Sequence, residues 1–307
     1  MIALLLAEKI FSLFLMMFTG YILVKFKLSK PEDSKILSVA CIYIISPCMI
    51  IAAFQKEFNE EVRNGLFLAF GGAILAHIIL IVVTEILSFV LHFDAIEKVS
   101  LIYSNSANLI IPIVTSIMGD DWVIYSSAYI FIQLILLWTH GISVICGKHN
   151  FDIKKIILNI NMIAIVIGLV LFFLNFRLPG PLGDANNSIA VMVGPISMII
   201  TGMLIGGMDL KKAFAKKRVW FIVIFRLILL PVIVLLILKY LPLYKLSKDG
   251  RNIFLITNIA TMAPSASVIT QLAQIYEKDA DYASSINVLS ILLCIITMPI
   301  LVYIYQF

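Results

Sequence analysis

The chain has 307 residues, of which 62% are hydrophobic and 13% charged, and its mean hydropathy is +1.06. Soluble domains have roughly 45–50% apolar and about 25% charged residues, so the composition excludes an ordinary soluble protein. The net charge of +5 comes without a basic patch interleaved with exposed aromatic residues, and nucleic acid is therefore not a predicted partner.

Ten stretches are long and apolar enough to cross a lipid bilayer, which takes about 20 mainly apolar residues. The first stretch lacks a small-residue cleavage site and is expected to be a retained helix, not a signal peptide. The sequence therefore predicts an all-α polytopic membrane protein with ten transmembrane helices. The stretches are 3–24, 34–54, 65–90, 99–118, 122–146, 156–176, 186–208, 219–240, 252–273 and 282–305.

The positions of lysine and arginine predict the orientation of these helices. Loops after odd-numbered helices hold fourteen of these residues, and loops after even-numbered helices hold seven. Cytoplasmic loops carry the excess of positive charge, so both termini are predicted on the outer side of the plasma membrane.

Two of the predicted helices contain a proline amid polar residues. Helix 4 reads Ser-Asn-Ser-Ala-Asn from Ser104 and reaches Pro112, and helix 9 contains Pro264 within a run of Thr, Asn and Ser. Unpaired backbone groups are costly in hydrocarbon unless they line a cavity enclosed by protein. Two interrupted helices in corresponding halves indicate the binding site of a secondary transporter.

Four landmarks recur in order at a nearly constant offset, which suggests a duplicated five-helix unit. Gly20 and Gly168 are 148 positions apart, Pro47 and Pro195 also 148, Phe26 and Phe176 150, and Pro112 and Pro264 152. Because five is odd, the second unit enters the membrane from the opposite side. We therefore predict two inverted repeats, 1–150 and 151–307, in one integrated membrane domain with helices 4 and 9 crossing.

The candidate substrate-binding residues lie beside the helix interruptions and at a kink that recurs in both repeats. Buried amides are costly, which favours a site over simple helix packing for the asparagines, whereas a hydroxyl alone more often joins helices. Half-helix N-termini at the interruptions favour an anion. The candidates are Asn105, Asn108, Pro112, Asn258, Thr261, Pro264, Ser265, Ser46 and Pro47.

Four ionisable residues within the spans, His77, Glu85, His140 and Arg226, are candidates for ion coupling. Freed carbonyls suit Na⁺, whereas the histidines or Glu85 suit H⁺, and the sequence leaves this choice open. The four cysteines lack CxxC spacing, and neither HExxH nor GxSxG is present, so we predict no metal, no cofactor and no enzymatic activity.

Several stretches are typical of one known family. They include Asn105 through Pro112 ending in Met118-Gly119, the run from Arg226 to Pro231, and Met262-Ala263-Pro264-Ser265-Ala266 followed by Ala273-Gln274-Ile275-Tyr276. On these motifs the chain resembles the auxin efflux carrier family over nearly its whole length, with the short central loop of its bacterial members.

This resemblance implies a scaffold of helices 1, 2, 6 and 7 and a moving transport part of helices 3–5 and 8–10. It also implies organic-anion substrates, such as malate or malonate, with Asn105, Pro112 and Pro264 at the crossing and Ser46 and Pro47 facing it. We expect a secondary transporter that works by alternating access.

The sequence leaves two alternatives open. One is a carrier like the bile-acid symporters or the antiporters, with the same crossed plan, and the other is a membrane receptor or scaffold that binds a ligand. The expected partners are a small organic anion and the lipid bilayer. Gly202 and Gly206 form a GxxxG pattern that suits close helix packing or a homodimer interface.

Overall fold

The computed structural model describes residues 2–55, 60–147, 157–207, 211 and 215–306. Within these ranges every regular element is helical, as the sequence predicts. The α-helices are α1 (Ile2–Lys25), α2 (Ser34–Ala40), α3 (Ser46–Ala53), α4 (Glu60–Leu91), α5 (Ala95–Ile102), α6 (Ser106–Met118), α7 (Val123–Leu136), α8 (Ile142–Cys146), α9 (Ile160–Phe173), α10 (Gly180–Ala190), α11 (Val193–Gly207), α12 (Lys217–Ile224), α13 (Leu230–Tyr240), α14 (Gly250–Met262), α15 (Val268–Ile275) and α16 (Ala280–Gln306).

Six helical runs among the described residues are long and apolar enough to cross a membrane. Predicted helices 4 and 9 are not among them, because each is divided into two shorter helices, α5 and α6 in one case and α14 and α15 in the other. The prediction of ten spans in two inverted repeats stays a prediction. The six runs are Pro31–Ala53, Glu60–Leu91, Asp120–Cys146, Gly180–Gly207, Lys217–Tyr240 and Ala280–Tyr305.

Three of these runs contain one wider, π-helical turn, at Cys41–Ile45, Leu137–Gly141 and Phe225–Leu229. Two of these turns come just before a proline, Pro47 or Pro231. A proline inside a helix has no N–H to donate and its ring crowds the carbonyl four residues earlier. A wider turn at that point relieves this crowding while the helix continues.

By their internal contacts, the described residues form two compact units. The first unit consists of Met1–Val62, Ile111–Ser127 and Ile157–Asp209. The second unit consists of Arg63–Ile110, Ala128–Ile156 and Leu210–Phe307.

In the first unit, α1 and α11 pack so closely that their glycines cannot be replaced without movement. A β-carbon added to Gly20 would overlap the backbone of Ile199, and one added to Gly202 would overlap the backbone of Met17. Gly206 likewise lies against Val24 of α1. Packing within one chain therefore accounts for the GxxxG pattern, and a homodimer stays a prediction.

In the second unit, Glu97 fixes the start of α5. Its carboxylate accepts hydrogen bonds from Arg218 Nε (2.6 Å) and Nη2 (2.8 Å) and from the Tyr282 hydroxyl (2.6 Å). It also forms a capping box with Asp94, the N-cap residue of α5. Burial alone raises the pKa of the Glu97 carboxyl, but these hydrogen bonds more than offset it, so the pKa lies below its ordinary value of 4.5.

We expect Glu97→Gln to destabilise the protein at pH 7 by about 1–2 kcal/mol, because two charge-assisted hydrogen bonds are weakened next to a half-exposed Arg218. Since the folded-state pKa is lowered, the stabilisation is present above pH 4.5 and is lost as the pH falls through the folded value. Thermal unfolding of wild type and variant at pH 7 and pH 4 measures this.

Glu85→Gln is the matched control, since the Glu85–Lys98 pair (2.7 Å) leaves Glu85 45% exposed. Its effect should stay below about 1 kcal/mol. If the difference in melting temperature between Glu97→Gln and wild type were as large at pH 4 as at pH 7, this account would be contradicted.

Candidate functional site

The first helix interruption lies between α5 and α6, at Tyr103–Asn105. Pro112 was predicted to mark this interruption, and that placement is wrong, because α6 continues through position 112. The chain leaves the helix at Ser104 and Asn105 since their backbone groups bond elsewhere in the fold. Seryl and asparaginyl residues favour such departures from a helix.

The second interruption covers Ala263–Ser267, between α14 and α15, and here Pro264 lies within it as predicted. Thr257, Asn258 and Thr261 all lie on α14, which leads into this interruption, and all three are buried.

The two interruptions contact one another within the second unit. Ser104 and Ser265 form an isolated antiparallel bridge. The Asn105 amide donates to the Pro264 carbonyl (2.7 Å), and the Ala266 amide donates to the Tyr103 carbonyl (3.1 Å). Each irregular segment therefore pairs backbone N–H and C=O groups of the other that have no partner within a helix. Such groups must be paired inside the protein when hydrocarbon surrounds it.

Gln133 of α7, which is not among the residues predicted from the sequence, holds the first interruption. Its Oε1 accepts from the Ser104 amide (3.1 Å) and hydroxyl (2.8 Å), and its Nε2 donates to the Ser104 carbonyl (2.8 Å) and to Ser106 Oγ (2.9 Å). The two donors and two acceptor positions of this buried amide are thus all used, in four hydrogen bonds to Ser104 and Ser106.

Asn287 and Ser290 of α16, also missed from the sequence, hold the second interruption in a comparable way. Asn287 Nδ2 donates to the Ser265 carbonyl (2.6 Å), and the Ser265 amide donates to Ser290 Oγ (3.1 Å). The Ser290 hydroxyl donates in turn to the Asn287 carbonyl (2.7 Å). An amide inside a long apolar helix was the available signal for both Gln133 and Asn287.

Arg226, on a different helix from Gln133 and Asn287, bonds to both interruptions. It lies in the π-helical turn before α13 and is fully buried. Its Nη1 donates to the Leu101 carbonyl and its Nη2 to the Ala263 carbonyl, both at 2.9 Å. These carbonyls lie at the C-terminal ends of α5 and α14, where the helix dipole is negative, so a cation there is favourable.

Most carbonyl oxygens at the interruptions already have a donor within the protein, and those of Leu101 and Ala263 bond to Arg226. The Met262 carbonyl accepts from Cys294 Sγ (3.6 Å). The carbonyls with such donors are those of Leu101, Tyr103, Ser104, Met262, Ala263, Pro264 and Ser265.

The predicted binding residues differ in which of their polar side-chain atoms lack a hydrogen-bond partner. Asn258 Nδ2 donates to the Phe254 carbonyl (2.9 Å), but its Oδ1 is buried without a partner, and so is Ser265 Oγ. Thr261 donates to the Asn258 carbonyl (2.8 Å) and is satisfied within its own helix. The side chains of Asn108 and Pro112 lie outside the described residues.

Ser46 and Pro47 belong to the first unit. Ser46 Oγ lies 3.9 Å from Cys41 Sγ, which lies 3.4 Å from Ser197 Oγ of α11. The two serines that flank the recurring prolines thus share one cysteine neighbour. That these residues face the helix interruptions stays a prediction.

The ionisable candidates Glu85, His140 and His77 differ in their partners and in their burial. Glu85 pairs with Lys98 on an exposed face (2.7 Å), and His140 Nδ1 lies 2.8 Å from the Tyr103 hydroxyl. His77 is fully buried on α4, with Nδ1 2.8 Å from the Ala73 carbonyl.

One cavity of about 760 Å³ lies in the second unit, against α4 and the turn Pro242–Leu246. Its lining is almost wholly apolar and includes none of the predicted site residues. Asn64 is the one polar side chain in this lining, so the cavity offers a small charged substrate little, and the contact between the two interruptions is the better candidate site.

A model of the family described as membrane transport protein matches residues 5–150 and 148–302, nearly the whole chain. The chain belongs to this family. The match confirms the resemblance to auxin efflux carriers that the motifs indicated. As a member of this membrane transport family, the protein is a membrane transporter. No curated protein matches the chain.

Proposed function

We propose that this transporter carries small organic anions, carboxylates such as malate or malonate, across the plasma membrane by alternating access. The observation that carries the proposal is Arg226, a fully buried cation at the meeting point of two interrupted helices. Among the described residues no acidic side chain pairs with it. A buried cation without a carboxylate partner favours an anionic ligand nearby.

The helix ends reinforce this charge. Arg226 bonds to the negative ends of α5 and α14, which leaves the positive N-terminal ends of α6 and α15 without a compensating charge. Helix N-termini attract carboxylates and phosphates. Bare Oδ1 of Asn258 and Oγ of Ser265 add polar atoms that a hydroxylated or protonated carboxylate can contact.

Sodium fits the interruptions less well. Carbonyl oxygens would be its main ligands there, and seven of them already accept hydrogen bonds from the protein. A bound sodium ion would have to share these oxygens with their donors, and the positive charge of Arg226 on two of them would repel it. This supports an anion carrier over a sodium symporter of the same plan.

The division into two units supports alternating access. Predicted scaffold helices 1, 2, 6 and 7 lie in the first unit, and predicted helices 3, 8, 9 and 10 lie in the second. Predicted helices 4 and 5 contribute to both units. A transport part built on the second unit would move with its buried polar residues while the first unit stays in place.

Uptake of labelled malonate and malate by proteoliposomes tests the proposal, with protein-free liposomes as background. We expect Asn258→Ala to abolish most of the uptake with little change in melting temperature, because its Oδ1 makes no hydrogen bond within the protein. Asn186→Ala is the matched control, since Asn186 Nδ2 also donates to one carbonyl, that of Cys48, in the first unit. Absence of uptake for every carboxylate, or unchanged uptake by Asn258→Ala, would count against the site.

A further inference from the structure

The two nitrogens of the His77 ring have different surroundings. Nδ1 lies 2.8 Å from the Ala73 carbonyl, one turn earlier on α4. A carbonyl oxygen can only accept, so Nδ1 carries a hydrogen. In the neutral ring Nε2 is then a bare lone pair, and it is buried without a hydrogen-bond partner among the described residues. The ring therefore presents an unused proton acceptor in the interior of the second unit.

Two titratable or charged groups face this ring from other helices. The ring of Tyr129 of α7 packs against the His77 ring with the centroids 4.6 Å apart and the planes tilted by 38°, and Arg226 is close enough for its charge to act on the His77 ring. The Tyr129 hydroxyl and Arg226 Nε also lack hydrogen-bond partners. Gln133, which holds Ser104 at the first interruption, lies beside the same ring. His77 is thus next to the candidate anion site.

The charges of this group link proton binding to anion binding. With Arg226 already positive, a proton on His77 places a second positive charge in a low-dielectric interior, which is costly. An anion bound near Arg226 removes much of that cost. Each ligand then raises the affinity for the other by the same factor.

We propose that the carrier moves a proton together with its anion and that this proton binds Nε2 of His77. The inference rests on the proposed function, since it names the coupling ion of the same site. The proton adds to the Nε2 lone pair and makes an imidazolium with a hydrogen on each nitrogen. It leaves the same nitrogen when the anion is released.

The other ionisable candidates are less available for this role. The carboxylate of Glu85 is engaged by Lys98 at 2.7 Å. The Tyr103 hydroxyl donates to the Leu136 carbonyl (3.0 Å), so His140 Nδ1 donates to that hydroxyl (2.8 Å), and the His140 side chain is only half-buried. His77 is the candidate whose acceptor nitrogen is buried without a partner among the described residues.

The test measures labelled malonate accumulation in proteoliposomes that hold wild type, His77→Gln or His140→Gln, at a clamped membrane potential, with and without an inward proton gradient. One-to-one coupling allows up to about tenfold accumulation per pH unit. We expect wild type and His140→Gln to accumulate malonate with the gradient. His77→Gln keeps a polar side chain that cannot titrate, so it should exchange malonate across the membrane without accumulating it.

A pH-sensitive dye inside the vesicles gives a second measurement, which follows the proton instead of the anion. Malonate added outside wild-type vesicles should acidify their interior more than it does in vesicles with His77→Gln. Malonate binds protons in solution equally in both, so the difference reports the protons that the carrier moves. Malonate uptake by wild type without any response to the gradient overturns the coupling and leaves the anion carrier intact. Gradient-driven accumulation by His77→Gln overturns the assignment to His77, and absence of carboxylate movement in wild type overturns both proposals.

Discussion

Arg226→Met is expected to cause a large loss of stability together with loss of anion transport. The change leaves the Leu101 and Ala263 carbonyls, at the ends of α5 and α14, without their donor. Each buried acceptor left unpaired costs about 1–3 kcal/mol, so the total is about 2–6 kcal/mol. Thermal unfolding in detergent measures this, and uptake of labelled malonate measures the loss of the buried positive charge.

Arg226→Lys separates the two effects. A lysine keeps the charge, but its single ammonium group cannot reproduce the fork by which the guanidinium reaches two carbonyls. We expect it to be destabilised by less than the methionine variant and to retain part of the uptake. If Arg226→Met unfolded at the wild-type temperature, Arg226 would not be what joins the two interruptions.

The helical class and the polar character of the site could be predicted from the sequence, because both depend on composition along the chain. Long apolar runs require helices in lipid, and amides such as Asn258 in such runs require partners or a ligand. Every regular element among the described residues is helical, and Asn258 is buried with its Oδ1 unpaired.

The position of the first interruption could not be predicted as well. Proline was used as its marker, but α6 passes through Pro112, whereas the chain departs from the helix at Ser104 and Asn105. That departure depends on bonds to Gln133 and to the Pro264 carbonyl, which are 29 and 159 positions away in the chain. Local sequence shows where a helix is weak, and tertiary partners decide where it ends.

Residues that act only through distant partners were the ones missed. Glu97 lies at the start of α5, where it looks like an ordinary capping residue. Its partners Arg218 and Tyr282 follow 121 and 185 positions later. Gln133 and Asn287 lie away from the predicted interruptions and the recurring kink, where only ionisable residues were predicted to be functional, although an unpaired amide in hydrocarbon is also costly.

Gln133→Glu is expected to have the other large effect, with almost no change in side-chain shape. The carboxylate can still accept from Ser104, but it cannot donate to the Ser104 carbonyl or to Ser106 Oγ. The buried Ser104 carbonyl then lacks its donor, which costs about 1–3 kcal/mol, whereas the Ser106 hydroxyl can turn and donate to the carboxylate. The new negative charge also lies beside the first interruption, where it repels an anion. Both the melting temperature and malonate uptake should fall.

Gln55→Glu in the first unit is the matched control, because it makes the same exchange of an amide for a carboxylate. Gln55 uses only its Oε1, which accepts from the Leu178 amide (2.7 Å), and its Nε2 has no partner to lose. The melting temperature of Gln55→Glu should therefore fall less than that of Gln133→Glu. Gln133→Met removes all four hydrogen bonds without adding charge, so uptake lower in Gln133→Glu than in Gln133→Met would show repulsion of the substrate. Equal uptake in these two variants, at comparable stability, would mean that the cargo carries no negative charge when it passes Ser104.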